Sequence, residues 1–583
     1  MRTIERLLRA AALSAAFCGC AAAAPRDPPV PQRSAPRPDL ILTNGVIHTL
    51  DSAAPVARAV AVAQGQIVYV GDDAGALAMR TAKARLIDLQ GKAVLPGLAD
   101  AHLHPALGEF LNYRLCNARA FNLEDGFAKV RQCATTAPPG DWVVAYGWYD
   151  LDNPAFDTVT RAQLDALVPT RKLAIISKDL HTVWANSRTL AEFGIGRDTK
   201  SPAGGDIVRD PATGEPTGEL IDAAGMAVWD RVQHHSPYSI STAELLEAAM
   251  AHLNSFGITS VFDAFADEDA ATAYHALDTQ GKLTARVSLA SPVLPGNYRT
   301  QVAFIAAHRT AWQSSHVRLD YIKAFGDGNP EVGLSSILNH DGPPETATPG
   351  YYTDAQMHEL VSIAESAGLS IYVHVIGDGA ARQVLDAVAA ARQATPVTER
   401  RHTLTHLCWV ADADLPRFKA MNVIANIQEG WLAPAAFGGP SGYDYARSTA
   451  AGPIGPWLAG RLMPYRALRD AGARLASGSD WFYTEENPWF AMEAGMTSKD
   501  PGGANKQAML PNYTLDFATL IAARTSGAAY QMYRENETGM IQVGKRADLI
   551  VVNQDPFTRA PEELHKTQVL MTFLDGKMIY QRR

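Results

Sequence analysis

The chain has 583 residues, of which 47% are hydrophobic and 19% are charged, and its formal net charge at pH 7 is -9. A chain of this length does not fold around one compact core, so we expect one domain of at least about 250 residues with smaller companions. The negative charge and the lack of Lys/Arg runs exclude the basic face that binding to nucleic-acid phosphates requires.

Residues 1–24 have the pattern of an export signal. Three arginines precede the apolar stretch AALSAAFCGCAAAA, which is too short to span a bilayer as a helix. Cleavage would fall either in the alanines after Cys20 or before Cys20, where FCGC is an imperfect lipoprotein box. We therefore expect an exported protein without a transmembrane segment, either periplasmic or lipid-anchored at the cell envelope. Residues 25–38, rich in proline and charge, predict a flexible linker.

The two ends of the remaining chain share one strand-and-turn pattern. Residues 39–94 contain short apolar runs separated by Asn-Gly and Gln-Gly pairs, which suit hairpins, and residues 540–583 repeat this texture. We predict that these two segments form one small composite β-sandwich. The catalytic domain, residues 95–539, would then be inserted within it.

Apolar strand patterns alternate with amphipathic helix patterns through residues 95–539. A typical helix begins at the N-cap Thr353 and ends at Gly368. The predicted strands are 97–104, 257–264, 285–291, 318–327, 370–377, 402–407, 422–428 and 473–480. Eight strands that alternate with helices predict an α/β protein with a (β/α)8 TIM-like barrel, whose chemistry lies at the carboxyl ends of the strands.

Residues 105–243 contain far more chain than a single crossover between barrel strands needs. We predict that this segment is an inserted small domain that lies over the mouth of the barrel. Cys116 and Cys133 lie within it and either form a disulfide or stay as free buried thiols, since the sequence is compatible with both.

Side chains that commonly bind metals lie at the ends of five predicted strands. His102 and His104 stand at i and i+2 of the first strand, so both point to the same side. A single strand-end histidine is more often structural, and an Asp after Gly-Ser is also good N-cap chemistry. The whole set, by contrast, predicts a metal site at the barrel mouth. Its members are His102, His104, Lys323, His374, His406 and Asp480.

Lys323 lies in a predicted central strand, where a lysine is rarely buried and charged without a partner. One interpretation is that the side chain faces outward or pairs with Asp327. The alternative is that burial deprotonates the amine, which then captures CO2 as a carbamate. The carbamate oxygens would bridge two metal ions.

With these residues in place, the chain resembles the amidohydrolase superfamily, and within it the YtcJ-like branch that includes N-substituted formamide deformylases. The resemblance covers nearly all of the chain after the leader, and the ordered set of motifs is far more specific than any one of them. The motifs are VLPGLADAHLHP, KDLHTVWANS, GGDIVRDPATGEPTGEL, FGITSVFDAF, YIKAFGDG, VHVIGDGAA, RHTLTHL, LASGSDWF, NPWFAM and GKRADLIVVNQDP.

The resemblance implies a zinc centre, with two ions per chain and other divalent metals as alternatives. It assigns His102, His104 and Asp480 to the first metal, His374 and His406 to the second, and carboxylated Lys323 to the bridge between them. It also implies that His181 and Asn186 reach toward the substrate from the insertion. The chain departs from the family at Leu180, which replaces a usual glycine, and at Glu429-Gly430, where Pro and His are common.

The predicted function is hydrolysis of a carbon-nitrogen bond other than a peptide bond, in a small molecule carrying an amide, N-acyl or N-formyl group. A metal-bound hydroxide would attack the carbonyl carbon. Asp480 would carry the proton to the leaving nitrogen, and His181 would bind the carbonyl oxygen as it gains charge or, alternatively, be a structural histidine of the lid.

Two other functions are compatible with the same residues: a metal-dependent isomerase or lyase, and a non-catalytic binding protein on an enzyme scaffold. Six aromatic residues are candidates to line the mouth and favour an apolar or aromatic substrate, although such residues are equally common in packing. Among them we assign Trp148 and Trp481 to substrate binding. The six are Trp142, Tyr146, Trp148, Trp184, Trp431 and Trp481. The sequence leaves the oligomeric state open, with a homodimer as one candidate.

Overall fold

The structure is a computed structural model of a single chain. It describes residues 37–120, 122–148, 155–178, 180–202, 205–235, 238–328, 334–338, 340, 348–394, 399–434, 461–503 and 507–583. The predictions for the export signal, for Cys20 and for the linker as far as residue 36 fall outside these residues. No helix in the described part of the chain combines the length and the apolar content needed to cross a bilayer.

The first described segment consists of short strands. Its elements are β1 (Leu40–Thr43), β2 (Val46–His48), β3 (Val56–Ala57), β4 (Ala59–Ala63), β5 (Gln66–Gly71), α1 (Asp73–Ala78), β6 (Arg85–Asp88) and β7 (Ala93–Pro96). Strands β4 and β5 pair antiparallel through Gln64-Gly65, whose φ angles of 52° and 79° give the twist that a two-residue hairpin needs. The hairpin confirms the predicted Gln-Gly turn.

The first barrel strand and the insertion follow. Their elements are β8 (Leu98–Leu103), α2 (Pro105–Glu109), β9 (Cys116–Ala120), α3 (Leu123–Thr136), β10 (Trp142–Trp148), α4 (Arg161–Leu167), β11 (Lys172–Ser177), β12 (Thr182–Ala185), α5 (Ser187–Glu192), β13 (Gly205–Arg209), β14 (Pro216–Asp222) and α6 (Ala223–His235). The six strands of the insertion form one mixed sheet in the order β13-β14-β12-β11-β10-β9. The insertion after the first barrel strand therefore has its own sheet and its own apolar cores.

The rest of the chain completes the barrel and returns to the first sheets. Its elements are α7 (Thr242–Ser255), β15 (Ile258–Asp263), α8 (Glu268–Thr279), β16 (Arg286–Pro292), α9 (Tyr298–Trp312), β17 (Val317–Phe325), α10 (Asp354–Ser366), β18 (Ser370–Val375), α11 (Asp378–Ala394), β19 (Thr403–His406), α12 (Leu415–Ala420), β20 (Ile424–Ile427), α13 (Tyr465–Asp470), β21 (Arg474–Ser477), α14 (Pro488–Thr497), α15 (Phe517–Ala522), α16 (Ala528–Gln531), β22 (Leu549–Val552), β23 (Val569–Leu574) and β24 (Lys577–Gln581). Short 3-10 or π turns span Phe110–Arg114, Phe156–Thr158, Glu429–Leu432, Pro511–Tyr513, Ala523–Gly527 and Pro561–Lys566.

Eight parallel strands form the barrel in the order β21-β20-β19-β18-β17-β16-β15-β8, which confirms the predicted (β/α)8 fold. The first and last strands meet through two backbone hydrogen bonds beyond their ends. The Asp480 N–H donates to the His102 carbonyl (2.7 Å) and the His104 N–H donates to the Trp481 carbonyl (2.6 Å). The barrel is thereby closed at the edge where the predicted metal ligands lie.

Side chains fill the interior of the barrel, so it is a packed core and not a pore. The rings of Phe262, Tyr321 and Tyr372 pack together, with Phe262 lying 5.1 Å from Tyr321 and 4.6 Å from Tyr372 between ring centroids. Small residues such as Ala99 and Ala101 on β8 leave room for these rings. The polar side chains of the mouth therefore rest on an aromatic floor.

Strands from both ends of the chain share one sheet, as the sequence predicts. Its order is β24-β23-β22-β7-β2-β3, and β22 pairs antiparallel with β7, which leads directly into β8. A four-stranded sheet, β5-β4-β1-β6, supplies the second layer, and one apolar cluster with members from both sheets lies between them. The base of the first barrel strand is thus anchored by strands from near the end of the chain.

A disulfide joins Cys116 in β9 to Cys133 in α3, which resolves the alternative that the sequence leaves open. The two residues are 17 positions apart, and Cys133 lies fully inside the apolar core beneath the sheet of the insertion. The bond therefore fastens the outer strand of that sheet to its covering helix.

We expect the double variant Cys116→Ala, Cys133→Ala to lose about 3 kcal/mol of stability, because the unfolded chain regains the entropy of a closed loop of this size. Thermal unfolding of the wild type with and without a thiol reductant, beside the double variant, measures the loss. The reductant should lower the Tm of the wild type and leave that of the double variant unchanged. Equal Tm values for the oxidised wild type and the variant would contradict a stabilising disulfide.

Candidate metal centre

The six predicted ligand residues come together at the carboxyl ends of the barrel strands. Nε2 of His102 and Nε2 of His104 each lie 3.3 Å from Oδ1 of Asp480. Within the described residues, the ligand atoms of these three side chains all lie within 4.8 Å of one another, the spacing of a metal-binding group. The ring of His406 lies 4.8 Å from that of His102 and 4.5 Å from that of His374.

Lys323 points into the barrel and is almost completely buried. Its ammonium nitrogen lies 5.0 Å from the ring of Phe325 and 5.1 Å from the ring of Tyr372. Asp327, the partner considered in the sequence, instead accepts hydrogen bonds from the backbone N–H groups of Ser336, Ile376 and Gly377. Burial lowers the pKa of Lys323 to about 7, so much of the amine is neutral near that pH.

Three histidines of the site, His102, His374 and His406, are neutral at pH 7. Burial lowers the pKa of His102 to about 4 and that of His374 to about 3, and it also holds the pKa of His406 well below its ordinary value. Burial alone would raise the pKa of Asp480, but His102 and the other imidazoles lower it well below the usual range. Neutral imidazoles and an ionised carboxylate are the forms that bind a divalent metal.

Hydrogen bonds behind the site orient the imidazole rings. Nδ1 of His102 lies 2.8 Å from the Thr405 hydroxyl and 2.7 Å from the Tyr372 hydroxyl, which turns Nε2 toward Asp480. Nδ1 of His406 likewise lies 3.0 Å from Oε1 of Gln428. Such partners of the second ring nitrogen are typical of metal-binding histidines.

One atom of the site is unusual for a protein interior. Nε2 of His374 is buried and has no hydrogen-bond partner among the described residues. Burying a polar atom without a partner is costly unless something else occupies its lone pair. The donor set of imidazole nitrogens and a carboxylate oxygen therefore fits a divalent ion of the zinc type.

The backbone is strained at two of the predicted ligands. His406 and Asp480 have φ angles of 75° and 57°, in the left-handed region that residues other than glycine rarely adopt. Each residue lies immediately after or near the end of a barrel strand, where the chain turns sharply over the mouth. A strained backbone of this kind persists only where many surrounding contacts hold the residue in place. Such residues are common at functional sites.

A buried charge network lies directly behind the ligands. Nε of Arg524 donates to Glu429 (2.8 Å) and one of its terminal nitrogens donates to Asp100 (3.2 Å), and all three side chains are fully buried. Asp100 also accepts from the backbone N–H groups of His102 (3.2 Å) and Ser479 (3.0 Å). The network thus connects the backbone next to two predicted ligands with the turn at Ala523–Gly527.

Sequence analysis missed this network, although two signals were present. Arg524 interrupts an otherwise apolar helical pattern, LIAARTSGAAY, and a cation there needs a buried partner. Glu429 was noted only as a departure from the family, yet it is the residue that accepts from Arg524 and from the Ser477 hydroxyl.

Two residues of the insertion that are predicted to bind substrate lie in its interior, and their role at a substrate stays a prediction. Asn186 is fully buried as the N-cap of α5, where it accepts from the backbone of Thr189 and donates to the carbonyls of Val168 and Arg171. Trp148 is also fully buried and packs between α3 and Trp184, with ring centroids 5.2 Å apart. Both side chains stabilise the fold of the insertion.

Trp481 is also buried, and its substrate-binding role likewise stays a prediction. Its ring is fully buried against Gly108 and against the rings of Tyr113 and His252, outside the group of ligands. Of the six aromatic residues considered, Trp431 does lie beside the site, where its ring stacks on His406 at 5.0 Å.

His181 lies in the turn between β11 and β12, where Nδ1 is 2.6 Å from Asp222 and about half of the side chain is exposed. It is not part of the compact group of ligands, and its catalytic role stays a prediction. A residue of the same turn that the sequence did not single out is Lys178, whose buried ammonium lies 4.4 Å from the ring of Tyr483. That ring packs on Trp431, so Lys178 is a cation near the mouth.

We expect Arg524→Lys to lower zinc affinity about tenfold, because a lysine cannot bridge two carboxylates and the backbone next to His102 and Ser479 loses its support. The matched control is Arg286→Lys. Arg286 is another buried arginine between two carboxylates, Asp548 and Asp575, at the base of the barrel. Each change should cost about 2 kcal/mol of stability.

Unfolding curves and chelator competition separate the two effects. Zinc affinity should fall only in the Arg524 variant, while the Tm falls in both. If both variants lose zinc affinity equally, Arg524 affects the site only through the overall stability of the protein.

Comparisons with known proteins all indicate the same family. A sequence model of the amidohydrolase family matches residues 85–580. N-substituted formamide deformylase of Arthrobacter pascens is 27% identical over 568 residues, covering 93% of this chain and 98% of that protein. Putative amidohydrolase YtcJ of Bacillus subtilis (strain 168) is 25% identical over 515 residues, covering 85% of this chain and 90% of that protein.

A solved structure has the same fold: a metal-dependent hydrolase from Pyrococcus furiosus superimposes with a TM-score of 0.66 at 21% identity, covering 89% of this chain and all of that one. The family model spans the insertion, the whole barrel and about half of the composite sandwich, and the mouth that it covers carries the clustered imidazoles and carboxylate. The chain therefore belongs to the amidohydrolase family and is a hydrolase.

Proposed function

We propose that this hydrolase is metal-dependent and cleaves a carbon-nitrogen bond in a small molecule that carries an amide, N-acyl or N-formyl group. The observation that carries the proposal is the convergence of four imidazoles, a buried amine and an ionised carboxylate on the catalytic face of the barrel. The similarity to an N-substituted formamide deformylase supports the choice of bond.

The residues would hold two zinc-type ions. His102, His104 and Asp480 would bind the first, and His374 and His406 the second. When bound, the ions would supply Lewis acidity to the substrate carbonyl and to water. Support for this assignment comes from the 3.3 Å contacts of Asp480 with two imidazoles and from the buried, unpartnered Nε2 of His374.

Lys323 would link the two halves of the site as a carbamate. Its neutral Nζ attacks the carbon of CO2, a C–N bond forms as one C=O π bond opens onto oxygen, and one proton leaves to solvent, so the neutral amine becomes an anion with two oxygen donors. The reaction needs a neutral amine that lacks a carboxylate partner. Within the described residues no carboxylate oxygen lies within ion-pair distance of Lys323, whereas its burial favours the neutral form.

Asp480 would move the proton of the reaction. Its carboxylate is ionised in the resting site, so it accepts the proton of the attacking water and returns it to the departing nitrogen. The left-handed backbone and the hydrogen bond from its N–H to His102 hold the side chain over the mouth. The ring of Trp431, stacked on His406, would exclude water from one side of the site.

We also propose that the protein is exported. A disulfide persists in an oxidising compartment and is rare in the cytosol. The Cys116–Cys133 bond therefore supports the interpretation of residues 1–24 as an export signal.

We expect Asp480→Asn to lower kcat by about a thousandfold or more, since an amide cannot accept the proton. The measurement is hydrolysis of a panel of N-formyl amines, N-acyl amines and cyclic amides by the zinc-loaded protein. Asp412→Asn is the matched control, because this carboxylate is exposed and pairs only with Arg461 among the described residues. Turnover of the Asp480 variant near the wild-type rate would remove the residue from the mechanism.

Labelled water tests the class of reaction in the same assay. Hydrolysis places one solvent oxygen in the acid product, whereas an isomerase or lyase does not. Product without the label would overturn the proposed function.

We expect Lys323→Ala to bind fewer zinc ions than the wild type, because the bridging oxygens are lost. Lys545→Ala is the matched control, since Lys545 is also buried but donates to the Thr538 carbonyl in the region of the sandwich. Metal analysis after gel filtration measures the ions, and labelled bicarbonate detects the carbamate directly by NMR. An unchanged zinc content without a bicarbonate signal would contradict the carbamate.

A further inference from the structure

The mouth of the barrel carries exposed apolar side chains that the proposed mechanism does not use. Phe265 follows β15 and is 43% exposed, and Phe325 is the last residue of β17. The centroids of their rings are 6.1 Å apart. Strand β16 separates β15 from β17 in the barrel, so the two rings meet above the carboxyl end of β16.

The local backbone explains how the rings reach each other. The Ala266 N–H donates to the Ala290 carbonyl of β16 (2.9 Å), which folds the chain after β15 over its neighbour. The inward residue of β16 at this level is Ala290, whose small side chain leaves the space above it to the two rings. Phe265 is therefore held over the mouth by the fold itself.

This surface continues toward the ligands, and two further exposed side chains lie near it in the loop that follows β17, where the Tyr351 N–H donates to the Gly326 carbonyl (2.9 Å). Toward the centre, the ring of Phe325 lies 5.4 Å from the ring of His374, a predicted ligand. Toward the rim, Leu334 and Tyr351 are 46% and 42% exposed and both lie next to Gly328, where a Cβ atom would be 2.8 Å from Cβ of Leu334 and 2.2 Å from the hydroxyl of Tyr351. We call Phe265, Phe325, Leu334 and Tyr351 the apolar wall.

The apolar wall is open to solvent at the rim and touches the predicted ligands at its inner end. Exposed apolar surface that is contiguous in this way costs free energy in water unless something covers it. An occupant that reaches the ligands must present its scissile bond to them and an apolar group to the wall. The continuity from His374 to Phe265 thus indicates a substrate group and not a protein partner.

We infer that the substrate is a neutral amide whose aryl or linear alkyl substituent packs on the apolar wall while its carbonyl faces the ligands. This inference rests on the proposed function and specifies its substrate class. The substituent comes from either side of the scissile bond, as an acyl chain or as an N-substituent, because both present the same apolar chemistry. The competing class is an anionic substrate such as an N-acyl amino acid, bound by Lys178 near Tyr483.

Two substrate series test the inference in the zinc-loaded wild type. One lengthens the acyl chain from formyl to hexanoyl on a fixed amine, and the other lengthens the N-alkyl group on a fixed acyl group. We expect kcat/KM to rise about two- to fourfold per methylene in at least one series, as expected for partial to full burial of each group. Phe265→Ala should flatten this increase, and Phe265→Leu should restore part of it.

Phe557→Ala is the matched control. Phe557 is 38% exposed and stacks on His48 in the composite sandwich, so its removal should leave the chain-length dependence unchanged. Calorimetric Kd values of the N-alkyl amine and alkyl carboxylic acid products with the metal-free protein provide a readout without turnover. The Kd values should fall with chain length in the series whose substituent contacts the apolar wall. Phe265→Ala should weaken this dependence of Kd on chain length, as it does for kcat/KM.

The outcomes separate this inference from the proposed function. Amide hydrolysis without any chain-length dependence, or with a dependence that Phe265→Ala leaves intact, would overturn the inference and keep the function. Preference for N-acyl amino acids that is lost in Lys178→Met would overturn it in favour of the anionic class. If no amide is hydrolysed, the proposed function fails, and calorimetry alone then decides whether the wall binds apolar groups.

Discussion

The contact between the first and last barrel strands controls the geometry of the whole site. A Cβ atom on Gly478 would lie 2.2 Å from the backbone nitrogen of His102, so only glycine allows β21 to approach β8 this closely. The approach aligns the two hydrogen bonds that close the barrel and carries Asp480 over His102 and His104. The coordination of one predicted metal thus depends on the absence of a single side chain.

Around this contact, burial determines the protonation states that catalysis needs. The rings of the mouth rest on an aromatic floor, and burial there lowers the pKa values of His102, His374 and Lys323, which favours their neutral forms. The Asp100–Arg524–Glu429 network places compensated charges immediately behind them. A buried network of this kind costs free energy to assemble, and it is retained here next to the residues whose positions matter most.

The barrel strands and the candidate metal ligands could be predicted from local sequence patterns. The features that could not be predicted depend on contacts between residues far apart in the sequence. The first barrel strand was predicted at 97–104 and is observed at Leu98–Leu103. The agreement is close because the apolar run and the histidines at its end lie within one short segment of the sequence. Arg524 and Asp100 are 424 residues apart, and no local pattern connects them. Trp148 and Trp481 show that an aromatic residue carries no sign of whether it packs or lines a cavity. The structural role of Asn186, unlike that of the two tryptophans, could be predicted, because an asparagine directly before a helical pattern is a typical N-cap.

The sheet shared by both ends of the chain has a consequence for biosynthesis. Strand β7 pairs with β22, and the Gly97 N–H at the entry to the barrel donates to the Asp548 carbonyl, about four hundred and fifty residues downstream. A nascent chain therefore holds β7 with one side unpaired until β22 has been synthesised, and an unpaired strand edge is a site of aggregation. Folding of this enzyme therefore waits for β22, so termination of the chain before β22 yields an open-edged intermediate in place of a smaller working barrel.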